Sequence, residues 1–318
     1  MPLDPEFMQY PRRRKGMDHD LYSAANMFEQ PKVTWPGGKP VALMVTVAVE
    51  FFPLTPNDGP FRAAGHIATP FPDFRTFTAR DYGNRVAIYR MMDALAAANI
   101  PVTAFTSSAL IDRTPALIDD IQAAGWEIAA HGQDMNAVHY GGMSAELEQQ
   151  QIDDCLAAWS ARGVTPKGWM SPGRGQSDAT LSLLKRAGIE WTADWGNDDM
   201  PYAMNDGPIA MPYTDELEDR KCITILGQEE DVWAQQIIGA ADWLASEAET
   251  HGGRILHLAL TPYIIAQPFR IKFLRDLLAL LAERDDLWSA TGSEICSAWQ
   301  TRRNLGAEYN PTEVIMPE

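Results

Sequence analysis

The chain has 318 residues, of which 26 are Lys or Arg and 43 are Asp or Glu, so its formal net charge is −17. This charge disfavours binding to nucleic acid and to anionic membrane surfaces, although one local arginine can still hold a small anionic substrate. Three cysteines without metal-ligand spacing, and no apolar run of membrane-spanning length, favour a cytoplasmic protein. We therefore expect a small-molecule partner, with no nucleic acid and no membrane.

The composition predicts one folded domain over 37–302, flanked by an N-terminal arm over 1–36 and a C-terminal tail over 303–318. Residues 1–7 read as an expression-vector remnant before a second potential start at Met8. The arm lacks a core of its own, and its apolar side chains need a surface to cover, which predicts a homo-oligomer. These side chains are Tyr10, Tyr22, Met27 and Phe28.

Alternating strand and helix patterns with short connections predict an α/β fold with a parallel sheet. The predicted strands span 41–49, 102–106, 127–131, 168–171, 191–194, 222–226, 254–261 and 287–291, and the predicted helices span 84–98, 114–125, 144–162, 177–188, 229–249 and 269–284. Seven or eight such units favour a closed barrel. A doubly wound open sheet is the alternative, weakened because no glycine-rich phosphate loop follows the first strand. The long connection over 52–82 is expected to cover part of a site.

Polar side chains stand where several predicted strands end. The first strand ends at Glu50, another ends at His131, and the last long one ends at Thr261. In a β/α barrel the C-terminal strand ends converge on one face and build the active site, so this pattern predicts an enzyme. The loops after two further strands add Ser171 with Arg174, and Asp194.

Three of these residues are the candidate catalytic groups. Glu50 is the candidate general base, because a carboxylate ending an apolar strand is partly desolvated and its pKa is raised. His131 precedes Gly132, which permits a tight turn, and Arg174 could fork onto a carboxylate or imide oxygen. Each has a structural alternative. Glu50 could be salt-bridged, for example to Arg174, His131 could be a hydrogen-bonded core histidine, and Arg174 could pair with Asp198 or Asp199.

The remaining candidates are expected to bind substrate or to support the catalytic groups. Asp198 and Asp199 could orient Arg174 or His131, and Trp195 beside them could line the pocket. Ser171 is not a nucleophile elbow, since G-x-S-x-G is absent. His257 shares a strand face with Thr261, and a hydrogen-bonded interior histidine is its favoured interpretation. The full substrate-binding set is Thr261, Asp198, Asp199, Ser171, Trp195 and His257.

The motifs, taken in order, resemble the polysaccharide deacetylase (NodB-homology) superfamily, and in detail its allantoinase-like, cyclic-imide-hydrolase-like branch. The resemblance implies a distorted barrel of about seven parallel strands and hydrolysis of amide-type C–N bonds. It rests on WPGG at 35–38, VE at 49–50, GWE at 125–127 with HG at 131–132, GW at 168–169 with SPGR at 171–174, DWGNDD at 194–199 with PY at 201–202, and PY at 262–263 with QP at 267–268 and Arg270.

The chain departs from this family at the metal ligands. Metal-using members pair two acidic residues after the first strand and add two histidines four residues apart. Here Phe51 follows Glu50, and Met135 stands four residues after His131. Phenylalanine cannot bind a metal and methionine is a poor zinc ligand, so we expect no cofactor. The alternative to this expectation is zinc or another divalent ion bound through His131. His139 could be a further ligand only if its loop folds back.

A second departure is Thr261, where the family usually has a general-acid histidine before Pro-Tyr. Threonine does not shuttle protons near neutral pH. His257 lies four residues earlier, roughly 13 Å along an extended strand, too far to replace it. Thr261 is therefore expected to touch the substrate through its hydroxyl.

These observations favour a metal-independent hydrolase of a C–N bond in a small amide, cyclic imide or ureide. Glu50 would act as base toward water, His131 would hold or polarise the substrate, and Arg174 would bind its anionic or carbonyl end. A carbohydrate N-deacetylase is the first alternative. The second is a non-hydrolytic isomerase or lyase, or a binding protein, in a decayed deacetylase site.

Overall fold

The computed structural model describes residues 19–23, 25–56 and 72–306, with side chains as far as Arg302. The predicted vector remnant and Tyr10 lie outside these residues, as do 57–71 of the long connection and 307–318 of the tail. No helix within the described ranges is long and apolar enough to cross a membrane.

In the described ranges, nine strands form one sheet, and their pairing is parallel except for one antiparallel pair. The strands are β1 (Val41–Val49), β2 (Val102–Thr106), β3 (Glu127–Ala130), β4 (Gly168–Trp169), β5 (Trp191–Thr192), β6 (Tyr202–Ala203), β7 (Ile209–Ala210), β8 (Arg254–Leu260) and β9 (Leu287–Ser289). Their order is β6-β7-β5-β4-β3-β2-β1-β8, with β9 paired to the start of β1 and β6 antiparallel to β7.

The sheet is curled into an incomplete barrel, which confirms the predicted α/β fold of the NodB type. Its hydrogen-bonded path ends at β6 on one side and at β8 on the other. Across the gap, the Ile255 amide donates to the Asp199 carbonyl at 3.2 Å, so the loop after β5 approaches β8. The C-terminal strand ends therefore still face one opening.

Ten α-helices connect and cover the strands in the described part of the chain. They are α1 (Phe74–Tyr82), α2 (Ile88–Ala98), α3 (Leu110–Arg113), α4 (Pro115–Ala123), α5 (Ala145–Ala161), α6 (Thr180–Arg186), α7 (Glu230–His251), α8 (Pro262–Ile265), α9 (Ile271–Ala282) and α10 (Gly292–Gly306). Local signals set several starts: Pro115 occupies the first turn of α4, and the Ser144 hydroxyl accepts from the Leu147 amide to cap α5.

The core follows the period-two pattern of the central strands. On β1, Val41, Leu43 and Val45 pack toward the helices, whereas Ala42 and Met44 pack on the opposite face with Trp191. All seven residues of β8 are buried. Both faces of the sheet are thus covered, which is why these strands read as continuous apolar runs.

Two local predictions were wrong. Residues 222–226 do not form a strand; they belong to a π-helical turn over Arg220–Ile225. A short apolar run is ambiguous between strand and helix, and here Cys222 and Ile223 are buried from a helical backbone. The helix expected to begin at Asn84 begins at Phe74 instead, capped by Asp73 and continued through a π segment over Gly83–Ala87.

The described part of the N-terminal arm packs against its own barrel. Tyr22 contacts the rings of Trp195 and Tyr202, and Gln30 donates to Asp198 at 2.5 Å. Phe28 remains 75% exposed. Tyr22 therefore needs no second subunit to cover it. The homo-oligomer stays a prediction, and Tyr22 no longer supports it.

Candidate active site

A cavity of about 690 Å³ opens at the C-terminal ends of β1, β3 and β4. Glu50, His131 and Arg174 all line it, so the structure brings the three predicted catalytic residues together. Parallel strands end at a common edge, and this is the physical reason for their convergence. The other described lining residues are Arg75, Thr76, Ala79, Arg80, Met170, Gly173, Tyr213, Asp215, Glu218, Arg220, Lys221, Thr224, Ile225, Tyr263, Ile264 and Arg270.

Glu50 and His131 face each other across a short gap. Glu50 Oε1 lies 3.8 Å from His131 Nε2, beyond hydrogen-bonding distance. His131 Nδ1 lies 2.7 Å from the Met170 carbonyl, which can only accept, so the ring carries a proton on Nδ1. Glu50 Oε2 and His131 Nε2 are both buried without a hydrogen-bond partner among the described residues. These two polar atoms are thus available to bind a ligand in the cavity.

Gly132 allows this arrangement. Its φ is +61°, in the left-handed region, and a Cβ at this position would lie 2.6 Å from the Pro172 ring. The turn after β3 therefore packs directly against the loop after β4. The predicted tight turn is present.

Arg220 connects Glu50 to a second buried carboxylate. Its Nη1 lies 3.4 Å from Glu50 Oε1, and its Nη2 lies 2.7 Å from Glu218 Oε1. Burial raises the pKa of Glu50, but Arg220 and then His131 more than offset this, so the pKa lies below its ordinary value. The expectation of a raised Glu50 pKa was wrong. The sequence pattern predicts the burial of Glu50, which raises the pKa, but not its contact with the Arg220 guanidinium, which lowers it. Glu50 is therefore ionised at neutral pH.

Both π-helical segments position groups at this site. Asn84, in the segment over Gly83–Ala87, donates from Nδ2 to the Glu50 carbonyl at 2.9 Å. Arg220 is the first residue of the other segment. Such insertions in helices are frequent at functional sites because they redirect a side chain at a small cost in hydrogen bonding.

Arg174 lines the cavity but already has partners. Its φ is +56°, unusual for a residue with a side chain. Its guanidinium lies 4.3 Å over the Tyr213 ring, and Nη2 lies 2.6 Å from Asp215 Oδ1. The alternatives that paired Arg174 with Glu50, Asp198 or Asp199 were wrong.

The structure does not bring four of the predicted substrate-binding residues to the cavity. Ser171 is buried and donates from its hydroxyl to Asp194 at 2.8 Å, which fixes the loop after β4. Asp198 accepts from Gln30, and the Asp199 carbonyl accepts from β8. Trp195 packs under Tyr22. All four hold loops and the arm in place.

His257 also lies outside the cavity. Its Nδ1 accepts from the Thr214 amide at 3.0 Å, so its Nε2 carries the proton and donates to the Thr46 hydroxyl at 2.8 Å. Burial, with the nearby Arg174, lowers its pKa to about 3. This neutral histidine anchors the segment that leads to Asp215 and Arg220, as its structural interpretation predicted.

Thr261 does not line the cavity in the described structure. It is buried, and its amide donates to Asp219 Oδ2 at 2.8 Å. Burial raises the pKa of Asp219 to about 7, with the charge of Glu218 adding to the effect. Thr261 therefore joins the end of β8 to the segment that carries Arg220.

Replacing Asp219 with Asn is expected to stabilise the protein at pH 8 by up to about 4 kcal/mol. The folded pKa of about 7 lies above the unfolded value of 3.8, so ionisation destabilises the fold as pH rises between these values. Asn retains an oxygen that accepts from the Thr261 amide. Urea unfolding at pH 8 and pH 4 measures the effect, which should fall below about 1 kcal/mol at pH 4; an equal gain at both would exclude ionisation as its cause.

The residues at the family's metal-ligand positions do not fit a metal. Phe51 lies under the Arg113 guanidinium, and Met135 packs in a small apolar cluster with Phe52. His139 stacks on Trp169, with Nδ1 at 3.0 Å from Glu148 Oε1, away from the cavity. The group beside Glu50 is the guanidinium of Arg220, a cation that cannot ligate a metal ion. No group of three His, Cys, Asp or Glu suited to a metal occurs in the described ranges.

Sequence reasoning missed Arg220, Glu218, Arg80 and Tyr213. The charged run over 218–221 was the available signal, but the apolar residues after it were assigned to a strand. Arg80 fell inside the long connection, where no element was predicted.

Comparisons with known proteins agree with this architecture. A family model described as "Polysaccharide deacetylase" matches residues 76–192. A protein of Schizosaccharomyces pombe described as "Putative polysaccharide deacetylase" is 23% identical over 243 residues, which cover 70% of this chain and 75% of that protein.

Two solved structures share the fold. One, a "probable Polysaccharide deacetylase" from Pseudomonas aeruginosa PAO1, has a TM-score of 0.76 and 22% identity, and covers 86% of this chain and 95% of its own. The other, Puue allantoinase, has a TM-score of 0.76 and 22% identity, and covers 88% of this chain and 98% of its own.

Proposed function

This chain carries a polysaccharide deacetylase domain, and from that premise we infer that it hydrolyses a C–N bond in a small amide, cyclic imide or ureide without a metal. The predicted family is confirmed, and hydrolysis of non-peptide C–N bonds is the activity of that class. The choice of a small, ring-shaped or ureide substrate is our proposal. This proposed substrate class is the one that the resemblance to the allantoinase-like branch implies.

One observation carries the proposal: a buried, ionised Glu50 with a free oxygen faces His131 and is held by Arg220. Metal-dependent hydrolases lower the pKa of a bound water. Here the base is instead kept ionised by a fixed guanidinium, as its lowered pKa indicates. A positioned carboxylate can then take a proton from water directly.

In the proposed hydrolysis, Glu50 first accepts a proton and later returns it. Glu50 accepts a proton from water as the water oxygen forms a bond to the substrate carbonyl carbon. The C–N bond breaks, its electron pair stays on nitrogen, and Glu50 returns the proton to that nitrogen. The products are a carboxylic acid and a free amine or amide, joined in one molecule if the substrate was a ring.

Other lining groups support this step. His131, whose Nδ1 lies 2.7 Å from the Met170 carbonyl, presents its unpartnered Nε2 to the attacking water or to the substrate. Burial raises the pKa of Tyr263, so its hydroxyl keeps its proton and can donate to the developing oxyanion. Arg220 lies close to both Glu50 and Tyr263 and adds positive charge where negative charge develops.

The size of the cavity favours a small substrate. About 690 Å³ lies within the range of small-molecule sites. The test is turnover in metal-depleted buffer on a panel of cyclic imides, ureides and N-acetylated sugars, with product carboxylate measured. Hydrolysis of acetylated sugars alone would favour a carbohydrate N-deacetylase, and turnover without hydrolysis would favour an isomerase or lyase.

The activity is expected to survive chelation, because Phe51 and Met135 occupy ligand positions. Elemental analysis of the purified protein should give well under one zinc per chain, and turnover in excess EDTA should match the untreated rate. About one tightly held metal per chain, with activity lost on its removal and restored on its return, would refute metal independence.

A further inference from the structure

The cavity is cationic in a protein that is strongly acidic overall. Six of its described lining residues are Arg or Lys and three are Asp or Glu, against a chain charge of −17. Local charge of this kind concentrates anions near an opening even when the whole molecule repels them. An anionic ligand is therefore expected at any lining cation that has no carboxylate partner of its own.

Five of the six cations already contact carboxylates. Arg220 binds Glu50 and Glu218, and Arg174 and Lys221 both bind Asp215. Arg270 lies 2.5 Å from Glu230, and Arg75 lies 3.7 Å from Asp73. These pairs satisfy each other and leave little charge for a ligand.

Arg80 differs from these five cations. It projects from α1 into the cavity, and no carboxylate lies within salt-bridge distance of it among the described residues. Its guanidinium lies 3.8 Å over the Phe52 ring, and the Tyr263 hydroxyl is its hydrogen-bonding neighbour. A partly buried guanidinium with no carboxylate in direct contact is costly: burial lowers the pKa of Arg80, and the more distant Glu50 does not fully offset this. A bound anion would restore the balance.

We propose that the substrate carries a carboxylate that binds Arg80, while its scissile carbonyl lies at Glu50. This deepens the proposed function and rests on it for the reaction, but the binding claim stands on the cavity's own geometry. Tyr263 links the two ends, because its hydroxyl neighbours the guanidinium groups of both Arg80 and Arg220. The substrate class is then an amide, imide or ureide that already carries one carboxylate. Arg174, the anion-binding candidate from the sequence, is occupied by Asp215.

The test compares two probes that differ only in charge, hydantoin-5-acetate and hydantoin-5-acetamide. Isothermal titration on the wild-type chain should give the carboxylate about ten- to hundredfold tighter binding than the amide. Arg80→Gln should abolish the difference, leaving the two probes equal. The matched control is Arg85→Gln, which removes an exposed arginine paired with Asp81 and outside the cavity; it should keep the wild-type preference.

Equal affinity of the wild type for the two probes, or failure of both to bind, overturns the proposal. So does a preference for the carboxylate that survives in Arg80→Gln. These outcomes need no turnover, so they are separate from failure of hydrolysis: an inactive chain that still prefers the carboxylate through Arg80 would refute the proposed reaction and keep the proposed ligand class.

Discussion

Glu50→Gln is expected to lower kcat by about 10²–10⁴-fold, the usual contribution of a positioned general base. Gln retains the shape and a hydrogen-bonding oxygen beside His131 but cannot accept the proton of water. Arg220 keeps Glu218 as a partner at 2.7 Å, so the fold should survive. The measurement is single-turnover and steady-state kinetics on the best substrate of the panel, with binding measured by titration.

The matched control for this prediction is Asp198→Asn. It makes the same carboxylate-to-amide change in another loop that follows a strand. Asp198 lies outside the cavity, where its carboxylate accepts a hydrogen bond from Gln30. The control should keep nearly the full rate. If Glu50→Gln retains more than about a tenth of the wild-type rate, Glu50 is not the base, and loss of binding together with rate would indicate a structural role.

Arg220→Met is expected to destabilise the folded state by about 3–5 kcal/mol at pH 7–8, the typical effect of leaving buried charge unpaired. The variant leaves Glu50 and Glu218 without the guanidinium that both contact. It should also abolish turnover, because Glu50 would tend to hold its proton. Urea denaturation gives the stability, and thermal denaturation shows whether the fold is retained.

The pH dependence identifies the cause of this destabilisation. In the wild type the pKa of Glu50 is lowered in the folded state, so it contributes stability above its unfolded pKa of about 4.5 and loses it as pH falls. The difference between wild type and variant should therefore shrink below about pH 4.5. Adding Glu218→Gln to the variant should recover part of the stability at pH 8.

A surface arginine provides the control for Arg220→Met. Arg162 pairs with Asp119, whose side chain is 66% exposed, and such pairs contribute about 0–1 kcal/mol. Arg162→Met should change the stability little at any pH. A similar loss in both variants, or a loss from Arg220→Met that is independent of pH, would contradict the role of Arg220 as the shared partner of two buried carboxylates.

The fold class and the location of the site could be predicted from the pattern of residue types alone. Continuous apolar runs such as Val41–Val49, in alternation with helical patterns, favour strands buried on both faces of a parallel sheet that helices cover. Polar residues at the ends of such strands must then meet at one edge, so the meeting of Glu50 and His131 could be predicted without coordinates. The order of short motifs added the resemblance to polysaccharide deacetylases, whose family model matches residues 76–192.

The pairing of the charged groups, by contrast, depends on how the chain folds. Arg220, 170 positions from Glu50, reaches it through a π-helical turn that no short pattern distinguishes from a strand. That contact reverses the direction of the Glu50 pKa expected from burial alone. Likewise, Asp215 pairs with Arg174, and among the described cations that line the cavity Arg80 is the one with no carboxylate within salt-bridge distance. Burial is encoded locally by hydrophobic pattern, whereas pairing depends on distances between segments remote in sequence.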